Sequence, residues 1–156
     1  MKYYIDQSGK IENTKDLTIV AYVGDKTKSL RISAVEKRKL IQVLKKLEGE
    51  KRIYIYKIFS SLIYILLSDG SIKDVIIDKE YPGQEPIIKD LIIKLFEAEG
   101  LKYPNIHFGI IGKGNPSHVV AIETFRGKLK PDLIVNAKQV VELIYGKKIG
   151  RSSHSR

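Results

Sequence analysis

Apolar residues fall along this chain in two periods. Leu17 to Val23 (LTIVAYV) is β-branched and nearly continuous, the pattern of a strand buried on both faces. Before it, Lys2 to Asp6 (KYYID) is a shorter β-rich run, set off by the polar, Gly-containing QSGKIENTKD. Gly24-Asp25 marks a turn, after which Ser29 to Ile32 can pair back as a third strand. Three strands joined by short loops predict an antiparallel meander. Ser33-Ala34-Val35-Glu36 then has capping-box spacing, with the Ser oxygen meeting the N3 amide and the Glu reaching back. Val35, Leu40, Ile41, Val43, Leu44 and Leu47 recur near 3.6 residues, predicting an amphipathic helix over 34–48 that stops at Gly49.

The stretch 52–67 fits either period. Ile55, Ile58, Phe59, Leu62, Ile63 and Leu66 share a helical face, while its Ile and Tyr content favours strand. It is long for a strand, so it is read as a buried helix. Ile72 to Asp78 (IKDVIID) is a fourth strand ending in a carboxylate, and KEYPGQEP is a loop. Pro86 suits the first turn of a helix reaching about Glu99, with Ile87, Ile88, Leu91, Ile92, Leu95 and Phe96 inward. Ile106 to Ile111 (IHFGII) is a fifth strand. Ser117 or Asn115 can cap a helix over 118–125. Arg126 to Pro131 reads as a basic turn, and Asn136 to Tyr145 as a last helix with Val140, Val141 and Ile144 inward. The prediction is an α/β fold with one mixed five-stranded sheet. Its first three strands are antiparallel, the later ones parallel, and helices cover both faces.

Composition narrows the chemistry. The chain has 156 residues, which is the size of one domain, assigned here to 1–146 and followed by a basic, flexible tail over 147–156. No cysteine is present, which excludes a disulfide scaffold, a thiolate zinc site and a cysteine nucleophile. The longest apolar stretch is too short for a bilayer, and the N-terminus has no signal-peptide pattern, so a cytoplasmic location is expected. Lysine outnumbers arginine 22 to 6 and isoleucine is abundant, a usage that fits a thermophile and equally an AT-rich genome. The net charge of +10 points to a polyanionic partner, most simply RNA or DNA. Eight basic side chains against Asp132 and Glu142 lie in residues 126–156, where they could track phosphates.

Two acids sit at the ends of apolar runs: Asp6 after the first and Asp78 after the fourth. Ligand sites in open α/β sheets form beyond the carboxyl ends of strands. If those strands are neighbours, the carboxylates converge and repel, and a divalent cation such as Mg²⁺ or Mn²⁺ relieves the repulsion. A strand-end Asp that only caps a turn is the competing reading.

This order of elements, with one Asp in YYIDQSG and another ending VIID, resembles the ribonuclease H-like superfamily. The resemblance spans about residues 2–145 and is architectural; its motifs are short. It implies a Mg²⁺- or Mn²⁺-dependent nuclease with Asp6 and Asp78 as metal ligands. A further acid would come from Glu80, with Glu85 and Asp132 behind it. Glu36 lies in the helix where many members carry an acid. The segment after the fifth strand, GKGNPSHVVAIE, offers His118 for phosphate contact or proton transfer, and an acid only at Glu123.

In the GKGNPSH loop, Lys113 and His118 flank a turn able to hold phosphate, although a plain strand-to-helix connection uses the same residues. The expected catalytic set is Asp6, Asp78, His118 and Lys113, and the expected metal set is Asp6, Asp78, Glu80 and Asp132. A non-catalytic module binding RNA, DNA or protein on the same fold is the alternative, and the 52–67 segment could supply a homodimer face. The tyrosines and His107 are read as packing residues.

Overall fold

The meander forms as the pattern predicts. β1 (Tyr3–Ser8), β2 (Thr18–Val23) and β3 (Thr27–Ile32) are antiparallel, with Ile5 opposite Tyr22 and Val20 opposite Leu30. The structure, a computed structural model, describes residues 1–49 and 51–146, so the expected tail over 147–156 lies outside the described residues. From β3 the chain leaves the sheet through α1 (Ala34–Glu48) and α2 (Ile53–Leu67). It returns as β4 (Asp74–Asp78), parallel to β1, and crosses through α3 (Glu85–Ala98) to β5 (Asn105–Gly109), parallel to β4. After α4 (Pro116–Phe125) it reaches the other edge as β6 (Leu133–Val135), parallel to β3, and ends in α5 (Ala137–Tyr145).

The sheet order is β5-β4-β1-β2-β3-β6, so there are six strands where five were expected. The sixth has only three residues and follows Pro131, too short to show an alternation. Asp132 docks it: its N–H donates to Ser29 O at 3.0 Å, and its carboxylate accepts the Ser29 N–H at 2.8 Å.

Helices cover both faces. α4 packs on β1 and β2, over a small core of Ile19, Ala21 and Ala121. On the other face α2 lies against β2 and β3 and is flanked by α1, α3 and α5. Most apolar residues of α2 are buried within the chain's own core, and the segment 53–67 is helix. In α1 the buried stripe is Lys37, Leu40, Ile41 and Leu44, whereas Val35, Val43 and Leu47, expected inward, are exposed. Ile87 of α3 is likewise exposed, with Ile88, Ile92 and Phe96 buried.

Ser33 caps α1 by accepting the Glu36 N–H at 3.1 Å. The reciprocal half of that box differs from expectation, because the Glu36 carboxylate accepts the Ala137 N–H and ties α1 to α5. A complete capping box occurs at Asn136 and Gln139 instead. β5 ends earlier than expected, at Gly109, and leaves Ile110 exposed. His107 is not a packing residue: its side chain is 61% exposed, 3.9 Å from Asp74. Among the described residues, no helix is long and apolar enough to cross a membrane.

Candidate metal centre

β1 and β4 are parallel neighbours, with Ile5 beside Ile77. Both of these side chains enter the larger core. Since side chains alternate along a strand, Asp6 and Asp78 both emerge on the α4 side at the same level. Asp78 ends its strand as expected, whereas Asp6 lies inside β1, which continues to Ser8. Glu80 follows in a tight turn, its N–H bonded to Asp78 O at 2.8 Å. One carboxylate oxygen from each of Asp6, Asp78 and Glu80 lies within 4.8 Å of the other two.

Each acid is positioned by a different part of the fold. Asp6 is buried; its Oδ1 accepts the Gln7 N–H at 2.8 Å, and its Oδ2 lies 2.9 Å from His118 Nδ1. His118 stands in the first turn of α4. That turn is fixed by Asn115, whose Oδ1 accepts from both the N–H and the hydroxyl of Ser117. Asp78 Oδ1 accepts the Ile111 N–H at 2.8 Å, which anchors the loop leaving β5.

The electrostatics follow from three acids in a half-dry site. Burial pushes the Asp6 carboxyl above its ordinary value, opposed by the Gln7 amide and His118. Burial, and then the charges of Asp78 and Asp6, push Glu80 up to about 8. The cluster therefore holds a proton at neutral pH. Three hard oxygen donors can exchange that proton for a cation. This buried acidic triad could bind a metal.

The other expected site residues separate from this group. Lys113 is exposed in the loop after β5, and no ion pair engages it among the described residues. Asp132 is not brought to the triad, since it bonds Ser29, which sits two strands from Asp6 across Ala21. Glu36 bonds Ala137 and Lys39, Glu85 accepts the Gly83 N–H, and Glu123 faces Lys128 at 3.9 Å.

Two supporting residues were not foreseen. Tyr81 follows Glu80 directly and is buried, with its ring edge-on to Phe59 and Tyr56. Its hydroxyl accepts from Gln7 Nε2 at 3.3 Å and from the Ile11 N–H at 3.4 Å, and donates to Glu12 at 3.3 Å. It thereby pins the Glu80 turn to the loop between β1 and β2. Lys37 braces the same loop from α1, its buried amine donating to Lys10 O at 3.0 Å and Thr18 Oγ1 at 2.9 Å. An aromatic directly after an acid in a Pro-Gly turn was the available sign for Tyr81, and helical period was the sign for Lys37.

The chain matches no family model and no curated protein sequence.

Proposed function

We propose that this chain is a Mg²⁺- or Mn²⁺-dependent nuclease of ribonuclease H-like fold that binds RNA or DNA. The observation that carries the reading is the meeting of Asp6, Asp78 and Glu80 on adjacent parallel strands, with His118 on Asp6. The strand order supports it, since β1 sits between an antiparallel pair and a parallel pair as the resemblance implies. The net charge of +10 supports a phosphate-rich partner.

The three carboxylates would hold the cation, which supplies activation of water and stabilisation of the leaving oxygen. His118 keeps Asp6 in one orientation. An Nδ1–H donated to Asp6 leaves Nε2 of the neutral ring as an acceptor free to take a proton, and only once protonated could it donate to a phosphate oxygen. Lys113, exposed in the loop between β5 and α4, would offer its charge to the nucleic-acid backbone.

Calorimetry with Mn²⁺, together with cleavage assays on single-stranded, duplex, hybrid and branched substrates, tests the proposal. Wild-type protein should bind the ion and cut at least one substrate. Asp6→Asn should abolish cutting while nucleic-acid binding stays the same or tightens, because one repulsive charge is gone. Cleavage undiminished in Asp6→Asn would refute the site, and Mn²⁺ binding without any cleavage would favour the non-catalytic module.

A further inference from the structure

A concavity opens beside Glu80. It encloses about 220 Å³ between the β1–β2 loop, the start of α2 and the turn after β4. Its walls include Lys10, Glu12, Arg52, Tyr56 and Gln84, and Glu80 itself, so it adjoins the carboxylate cluster. Pockets that take whole drug-sized ligands run to roughly 300–1,000 Å³. This one has room for a single ring system with its attached phosphate at the mouth.

Three features define what it would accept. Lys10 and Arg52 supply two cations. Arg52 is 59% exposed and holds Glu12 only at 3.5 Å, a weak surface pair that a phosphate gripping the guanidinium fork would displace. Tyr56 is half-buried and lines the cavity, its ring packed edge-on to Tyr81 at 5.7 Å and its hydroxyl beside Arg52, so the ring and the guanidinium are held together at the same wall. Gln84 begins α3 without using its side chain as a cap, which leaves a donor and an acceptor amide at the rim.

We propose that this cavity takes the nucleotide flanking the scissile phosphate of a single strand, with the phosphate on Lys10 and Arg52 and the base against Tyr56. The assignment rests on the nuclease reading of the neighbouring carboxylates. A base seated here is unstacked from its neighbours. A duplex must break pairing and stacking to supply one, and a single strand need not. The cavity thus sets a preference for single-stranded RNA or DNA over duplex.

Fluorescence anisotropy with the full chain in EDTA, where nothing is cut, tests this with oligo(dT), oligo(U) and a duplex, each a dozen nucleotides long. At least one single strand should bind more tightly than the duplex. Tyr56→Leu should weaken single-strand binding roughly five- to 150-fold, the range of base–aromatic stacking. Arg52→Gln should lower the log–log salt slope by about 0.7, one phosphate's share on a single strand. Lys102→Gln, which removes one exposed charge ahead of β5 at the end of the sheet opposite Asp78, is the control, and circular dichroism verifies folding. Duplex bound as tightly as both single strands overturns the inference. So do Arg52→Gln and Tyr56→Leu effects no larger than that of Lys102→Gln. The two readings fail separately: wild-type protein that neither binds Mn²⁺ nor cleaves would sink the nuclease assignment and leave the anisotropy result to decide the cavity.

Discussion

His118 Nδ1 lies 2.9 Å from Asp6 Oδ2 across 112 positions of sequence, and it is the contact that locks α4 to the central strand at the carboxylate cluster. Asp6 is also held by the neighbouring Gln7 amide, which donates to its Oδ1. Groups that orient a metal-binding carboxylate are typically worth 10- to 100-fold in metal affinity. His118→Ala should therefore weaken Mn²⁺ binding by about that factor, and His118→Asn, which keeps a donor near the Nδ1 position, should recover part of it. Calorimetry reads both, and wild-type affinity in His118→Ala would reduce the contact to packing.

Metal binding should rise with pH. Glu80 releases its proton at about 8 in the metal-free site, and a cation needs the carboxylate. Apparent Mn²⁺ affinity should climb up to about tenfold per pH unit from pH 6 and level off above about 8, with proton uptake by the buffer on binding. Glu80→Gln should flatten this dependence. Calorimetry in two buffers of different ionisation enthalpy measures the released proton directly, and a flat profile in the wild type would contradict the shared-proton picture.

Lys37 makes stability, too, rise with pH. Burial lowers its amine from 10.5 to about 8, with Asp16 and Glu12 opposing the shift. Between those values the unfolded chain binds the extra proton, so stability rises with pH from about 8 to 10.5 and is lost as pH falls back through that window. At about 1.4 kcal/mol per pKa unit, the change reaches at most about 3 kcal/mol. Lys37→Met should remove that rise, while leaving the Lys10 carbonyl and Thr18 hydroxyl short of a donor at a cost of about 1–3 kcal/mol. Urea titrations of both proteins across the window check the difference in slope.

The β1–β2 loop tolerates no side chain at Gly9. Its φ is +82°, and a Cβ there would sit 2.2 Å from Leu17 O and 2.8 Å from Phe125 Cε2. Backbone strain alone is worth about 1–2 kcal/mol, and the backbone clash adds to it. Gly9→Ala should cost at least about 3 kcal/mol, lowering Tm by roughly 6–12 °C for a chain of this size. A melt within a degree of wild type would place the loop differently.

Much of the architecture was legible because its signals are local. Ser33 and Gly49 bracket α1, Pro86 opens α3, and the run Leu17 to Val23 reads as a central strand. Asp6 and Asp78 were legible as a pair once the strand order was assumed, and Glu80 followed by proximity. What escaped depends on tertiary context. β6 is held by bonds between Asp132 and Ser29, and no three-residue pattern announces a strand. Asp132 was thus taken for a ligand when it is a splice between β3 and the edge strand β6. Lys37 occupies the same stripe as Leu40, Ile41 and Leu44, so periodicity did point inward there; its charge, shared with solvated neighbours, argued the other way. Val35, Val43 and Leu47 were misplaced for the converse reason, as apolar residues left on the open side of α1.

The pairing of β1 has a temporal meaning. On one side it meets β2, its neighbour in sequence; on the other it meets β4, which arrives only after two helices. The hairpin side can close early at low entropic cost, and the β4 side must wait for a long loop to close. Asp6 is therefore without its fellow acids while the meander forms, and the mutual repulsion of the carboxylates is imposed at the late step that joins the halves of the sheet. A cation available at that moment would favour the joining itself, so the speed of folding, and not only its endpoint, would carry the imprint of the ion.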